Sequence, residues 1–364
     1  GRVGVVQFRR CVNAATDLTT VSVLVLRAAF GAIAFNETVR QEHVFFRIKK
    51  LFNGFRCDQP LVTQAAVDVL RERVVFGAIG AVPVVKGNGY GFGRPILIEQ
   101  AVALGHEIAV GTAYEARDVP PTHTPIVLTP LGSDVPSTLP SNSVLTVGSI
   151  EHVATLRNAG WTGRVMIKLL SSVKRYGVSP EQLDELTRCI ADAHMQHYGW
   201  SLHLPLDGDT TQHLAEASHW IAQLPQHLPL HVSHLSPDSI SALRAAHPTQ
   251  TIVARLGTTL WLGDKSNMHL ATDVLAVHHV SGGTAGYRNT AITAEGSIVV
   301  VGAGTAHGVM PLAHNASPFH FGRQRIQLLE PSHMHTSMLF VPAGNPCPAV
   351  GDVVDVQQPL TRVF

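Results

Sequence analysis

Between Ala81 and Arg255 the chain alternates short apolar runs with helical patterns, and few folds accept that rhythm. Strand-like runs fall at Ala81–Val85, Glu107–Val110, Pro125–Leu128, Val144–Val147, Arg164–Leu169, Tyr198–Leu202, Pro229–Ser233 and Thr251–Arg255. Helical patterns between them include Pro95–Leu104, Ile150–Ala159, Pro180–Met195, Thr211–Leu224 and Pro237–Ala246. Several open on a cap signal, as at Ser179-Pro180 and Ser236-Pro237, where a hydroxyl can take a free N–H and proline already has a helical φ. Strand and helix in strict turn predict an α/β protein built on a (β/α)8 TIM-like barrel. A doubly wound open sheet is the alternative.

After about Asp264 the helical period fades. Val274–Val280, Ser297–Val301, Arg325–Leu329, Ser337–Val341 and Val353–Val356 read as short strands separated by Gly and Pro, which predicts a smaller, mostly β domain at the C-terminal end. The expected division is an extension of unclear role at 1–47, a barrel at 48–265 and a β domain at 266–364. The run Val21–Phe35 is apolar but broken by Arg27 and too short to span a bilayer. With 45% hydrophobic and 15% charged residues the chain suits a large core. A net charge of +1 gives no field to draw it to nucleic acid or a membrane surface. Cys11, Cys57, Cys189 and Cys347 lie far apart, which suggests a reducing, cytoplasmic setting rather than a disulfide framework. The histidines form no H-E-x-x-H and the cysteines no C-x-x-C, so no metal is expected.

Barrel chemistry sits where strands end at their C-terminal side, and reactive residues fall there. Lys86 follows the first strand and opens Lys86-Gly-Asn-Gly-Tyr90-Gly-Phe-Gly. Burial disfavours an ammonium, so a lysine at the mouth of a buried strand is a candidate imine-forming amine. Arg175 follows the fifth strand, His203 closes the sixth, Ser236 follows the seventh and Arg255 ends the eighth, with Gly257 and Thr258 next. The loops after the last two strands are favoured phosphate sites, which nominates Ser236 and the N–H groups of Gly257 and Thr258. Each of these residues alone has an ordinary structural explanation. Their order along the chain is what points to a site.

The Lys86 segment resembles the pyridoxal phosphate (PLP) lysine motif of the alanine racemases, V-V-K-A-N-A-Y-G-H-G. The resemblance runs from about residue 50 to 358. Arg255-Leu-Gly-Thr-Thr-Leu-Trp-Leu-Gly is similar to R-P-G-I-A-L-Y-G, and Lys168 with Arg175 to K-L-D-T-G-M-x-R-x-G. Gly282-Gly-Thr-Ala-Gly-Tyr287 is similar to P-G-E-x-V-x-Y-G, and Ser332-His-Met334-His-Thr to the C-M-D-Q loop. The resemblance implies a fold-type III PLP enzyme, a racemase interconverting L- and D-alanine with Lys86 and Tyr287 as its two bases. It implies that Arg255 meets the pyridine nitrogen, buttressed by His203. Tyr90, Ser236, Gly257 and Thr258 would hold the cofactor, with Ser239 or Ser241 as alternatives to Ser236. Arg175, supported by Lys168, and the backbone of Met334 would meet the carboxylate of a small amino-acid substrate. It also implies a homodimer in which Tyr287 serves the neighbour's Lys86.

The sequence departs from the family pattern at Phe92, Leu170, Thr305, His307 and His335, which stand where relatives have His, Asp, Tyr, Asp and Asp. It ends at Phe364, ahead of the tail where relatives place a further phosphate-binding tyrosine. Those losses leave the lysine intact and bear on substrate gating and alanine specificity. Two other readings are a decarboxylase or aldolase on the same scaffold, and a PLP-binding paralogue without turnover. Arg255 speaks against the decarboxylases, which place a carboxylate at the pyridine nitrogen.

Overall fold

The computed structural model describes residues 56–57, 81–262 and 270–362. All belong to one compact unit, Arg47–Phe364. The expected extension at 1–47, its apolar run and the boundary at 265/266 lie outside the described residues.

The chain enters with β1 (Arg56–Cys57), then builds eight parallel strands: β2 (Ala81–Pro83), β3 (Glu107–Val110), β4 (Thr124–Val127), β5 (Val144–Val147), β6 (Arg164–Lys168), β7 (Gln196–His203), β8 (Leu230–Ser233) and β9 (Ile252–Leu256). The spatial order is β2-β9-β8-β7-β6-β5-β4-β3. The ring closes where Val84 bridges Ala109 in parallel and the Val85 N–H donates to Ala109 O at 2.7 Å. This is the barrel, not the open sheet. Alternate strand residues face opposite ways. Val82, Val84, Ala109, Ile126, Val144 and Met166 form one buried cluster. Their neighbours Val85, Ile108, Val127, Leu145 and Ile167 join a second that packs under the helices.

The helices are α1 (Arg94–Val102), α2 (Ile150–Asn158), α3 (Leu183–Asp192), α4 (Thr210–Ile221), α5 (Pro237–Ala246) and the single turn α6 (Thr258–Trp261). Their starts are written in the sequence. Asp209 accepts from the Thr211 N–H at 3.2 Å and Ser236 from the Ser239 N–H at 3.1 Å, caps each worth about 1 kcal/mol. The connections from β3 to β4 and from β4 to β5 carry no α-helix. Pro120, Pro121, Pro130, Pro136 and Pro140 punctuate that stretch, and proline both removes a helix donor and clashes with the preceding turn.

The remaining chain is antiparallel: β10 (Leu270–Val280), β11 (Gly283–Ala285), β12 (Thr290–Ile292), β13 (Gly296–Val301), β14 (Phe319–Phe321), β15 (Gln324–Arg325), β16 (Gln327–Leu328), β17 (Ser337–Pro342) and β18 (Val353–Val356). The main sheet runs β15-β14-β18-β10-β13-β17-β16, with β1 also paired to β10. Arg325–Leu329, expected as one strand, is two short ones either side of Ile326. The C-terminal turn Leu360–Arg362 returns to the barrel. The Asn88 side-chain amide donates to Leu360 O at 3.3 Å, and the Leu360 side chain packs on the barrel core.

Candidate active site

The Lys86 loop is built around backbone that only some residues tolerate. Gly91 has φ +95°, and a Cβ there would lie 2.6 Å from Leu360 O. Tyr90 itself is left-handed at φ 54° and buried, a strained state for a residue with a side chain. Its hydroxyl explains the strain. A Cβ on Gly257 would sit 2.2 Å from Tyr90 Oη, so the phenol rests on the bare backbone that opens α6. Burial, helped by the Glu115 charge, pushes the Tyr90 hydroxyl up and keeps it protonated. Lys86 stands at the head of this loop. Its side chain reaches solvent, yet the walls of the barrel mouth remove enough water for desolvation to be the first cause that lowers its pKa. Arg175 and then Arg255 lower it further, and Glu115 opposes them.

Strand register assembles the next layer. Ser233 pairs with Arg255 on one side and His203 on the other, while Lys168 pairs with Ser201. Arg255 is 4% exposed and donates to Ser201 Oγ, to Leu202 O at 2.9 Å and to Ser233 Oγ at 3.2 Å. Desolvation draws its pKa down to about 10, still charged at neutral pH. Ser233 Oγ also lies 2.8 Å from His203 Nδ1. Arginine only donates, so Ser233 Oγ accepts from Arg255 while it also meets the His203 ring nitrogen. Burial, then the positive charges of Lys168, Arg255, His234 and Arg175, hold His203 neutral with a pKa of about 2. Arg255 and His203 make no direct contact through these bonds and instead share Ser233 Oγ as a common partner.

Lys168 is 4% exposed, and desolvation followed by Arg255 and Arg175 takes its pKa well below the usual range. Arg175 is exposed, with its guanidinium 4.7 Å over the Tyr176 ring. Lys86, Lys168, Arg175 and Arg255 thus share one electropositive mouth. Gly257 and Thr258 open α6 at its rim, and Ser236 caps α5 beyond β8, its Oγ 2.8 Å from the buried Ser239 Oγ. Ser241 turns back along the helix to Pro237 O at 2.9 Å.

Two expected residues are not part of this cluster within the chain. Tyr287 is 87% exposed, and its ring lies 4.6 Å from that of His333. Glu330 anchors the loop, accepting the Tyr287 N–H at 2.9 Å, the Arg288 N–H at 3.0 Å and His333 Nε2 at 2.5 Å. Met334 is 65% exposed, and its carbonyl accepts the Ala306 N–H at 2.8 Å. The altered positions gather here. Thr305 donates to His333 O, and the His307 and His335 rings lie 5.8 Å apart. Tyr287, Met334 and these neighbours form a second, solvent-facing cluster.

Residues 64–265, just over half of the chain, match the family described as alanine racemase, N-terminal domain. The chain belongs to that family. No curated protein sequence matches it. Solved structures agree on the fold. The alanine racemase from Bartonella henselae with covalently bound pyridoxal phosphate is 17% identical, with a TM-score of 0.62 over 81% of this chain and 89% of that one. The biosynthetic alanine racemase from Pseudomonas aeruginosa is 20% identical, with a TM-score of 0.60 over 82% and 95%. The Bacillus anthracis enzyme with bound L-Ala-P is 17% identical, with a TM-score of 0.61 over 80% and 83%.

Within this alanine racemase frame, four residues at the barrel mouth escaped the sequence reading. Ser201 and Ser233 belong to no motif, and their roles come from pairing between strands distant in sequence. His234 has φ 68°, lies 4.6 Å from the His203 ring and bonds Leu204 O through Nδ1 at 2.7 Å. Burial is the first cause that lowers its pKa, and Lys86 contributes. Glu115 gives no signal beyond being an acid in a polar loop after β3. Of the altered positions on the barrel, Phe92 is buried in the core where relatives carry a histidine, and Leu170 bonds Val178 O through its N–H at 2.8 Å.

Proposed function

We propose that this chain is a PLP-dependent amino-acid racemase, with alanine as the first substrate to test, acting in the cytoplasm. The observation that carries the reading is the buried Arg255–Ser233–His203 relay beside a lysine of depressed pKa. The residues present fit PLP. Lys86 is an amine that could condense with the aldehyde of such a cofactor, and the cationic mouth suits an anionic ligand. Tyr90 Oη packs on the bare Gly257 backbone at the start of α6, where first-turn N–H groups can meet a phosphate. Gly257, Thr258 and Ser236 are the proposed phosphate partners, and Tyr90 steadies them. When bound, PLP supplies an electron sink for a carbanion at the substrate α-carbon.

The chain's residues then divide the work. Lys86 moves the proton on one face of the α-carbon. Arg255, all donors, meets the ring nitrogen without giving up a proton, and neutral His203 holds it through Ser233. Arg175, with Lys168 behind it, and the Met334 N–H receive the substrate carboxylate. Tyr287 is the base for the other face. A phenol is a poor base at neutral pH, so it needs a cation beside it, and the barrel mouth offers Lys86 and Arg175. Tyr287 is 87% exposed and so open to a second chain, which supports a two-fold homodimer in which each β region covers the other's barrel.

The test is incubation of PLP-loaded protein with single L-amino acids in D2O. Racemisation predicts α-deuteration and loss of optical rotation together. Deuteration without loss of rotation contradicts it. A second reading, a PLP-binding paralogue without turnover, is favoured by the change of Thr305, His307 and His335 around Met334, and predicts bound PLP with no exchange.

A further inference from the structure

Glu115 lies in the loop after β3, and its carboxylate joins the ends of two strands. Oε1 accepts the Gly87 N–H at 3.1 Å, and Oε2 accepts the Gly111 N–H at 2.7 Å and the Thr112 N–H at 3.3 Å. Gly87 is the residue after Lys86. Gly111 fills the space between the two side chains. A Cβ there would lie 2.9 Å from Glu115 Oε2 and 3.1 Å from Lys86 Cβ. The carboxylate is therefore held by three backbone donors against the stem of the lysine. We propose that Glu115 is a positioning residue for Lys86, fixing the loop that carries it and supplying the negative charge that balances the arginines around it.

Charged and titratable groups act on Lys86 from each wall. Arg175 after β6 and Arg255 on β9 favour the neutral amine, and His234 after β8 is coupled to it. Glu115, the one carboxylate acting on Lys86 among the described residues, favours the ammonium. The amine must be neutral to react with a carbonyl and charged to deliver a proton. Without Glu115, the arginines and burial would bias it toward the neutral form. The same carboxylate helps keep the Tyr90 hydroxyl protonated.

The inference rests on Lys86 being the reacting amine, so its test leaves the cofactor out. The cofactor-free chain is acetylated in competition across a pH series, and Lys86 is read by peptide mass spectrometry against exposed Lys174. Glu115→Gln keeps the shape and removes the charge. The Lys86 midpoint should fall by about one pH unit, the size expected for loss of one close opposite charge, while Lys174 stays put. An unmoved or raised midpoint in folded E115Q overturns the proposal. Should E115Q not fold, Glu115→Asp is the second arm. A side chain one methylene shorter cannot hold Gly87 and Gly111 together, so the midpoint should fall by less and the Gly87 amide should exchange faster. An unchanged midpoint with unchanged Gly87 exchange overturns the proposal there too. A normal Lys86 midpoint shift in a chain that never racemises would leave Glu115's role standing and remove the racemase reading alone.

Discussion

The barrel mouth and the Tyr287–Met334 cluster carry the two halves of one proposed site, and they are built differently. At the mouth, Arg255 and Lys168 are each 4% exposed, and Arg255 is bonded to three neighbours from adjacent strands. Rigid strands fix those atoms before any ligand arrives. In the second cluster the backbone is anchored by Glu330, but Tyr287 is 87% and Met334 65% exposed. Most of the surface of these side chains is open to solvent or to another surface. Preorganisation is complete where one chain supplies all the partners, and only the backbone is prepared where, in the proposed dimer, a second copy would supply them.

The contrast can be broken first at the lysine. Lys86→Ala should remove racemisation altogether, about 10^4-fold or more, with little change in melting temperature because the side chain is exposed. Tyr287→Phe should cost about 10^2–10^4-fold, the range for a general acid–base group, again at constant stability. Mixing the two inactive proteins under subunit exchange separates the regions. A mixed dimer has one site with both defects and one with neither, so about half its sites should recover. No recovery would place both bases on one chain.

Arg255→Met should act on folding as well as activity. It strands Ser201 Oγ, Leu202 O and Ser233 Oγ without their donor, at a cost of about 2–3 kcal/mol in urea denaturation. A variant as stable as the parent would deny the relay.

Acid should separate the regions by stability. His203, His231 and His197 have pKa values lowered to about 2, 3 and 4, each chiefly by burial. The unfolded chain binds more protons than the folded one from about pH 6.5 downward, so the barrel loses stability as pH falls below that point. At Glu330, burial pushes the carboxyl up, but hydrogen bonds from His333, Arg288 N–H and Tyr287 N–H outweigh it and leave it below its usual range. Its contribution is full above the ordinary carboxylate pKa and is lost only below it. Hydrogen exchange at stepped pH should show barrel amides opening before those of the Glu330 loop. The reverse order would contradict the assignment. The smallest effect is Ser236→Ala, about 1 kcal/mol for a lost cap. A fall in PLP affinity beyond that would mark Ser236 as a phosphate partner as well.

The eight barrel strands were legible because each is an apolar run bounded by Gly, Pro or a cap, and the described ends agree within a few residues. The missing helices between β3 and β5 were legible too, in five prolines, but the rhythm of the fold masked them. Arg56–Cys57 and the β11–β12 hairpin are too short to stand out. Lys86, Arg175 and Arg255 announce themselves as charges at strand ends. Ser233 and Ser201 do not. Their importance arises from register between strands separated by tens of residues, which no local pattern encodes.

The account depends most on Lys86 being the amine that holds the cofactor. Borohydride reduction of the PLP-loaded protein, followed by peptide mapping, tests this directly. The account predicts a single pyridoxyl label on Lys86. A label on another lysine, or none at all, would contradict it.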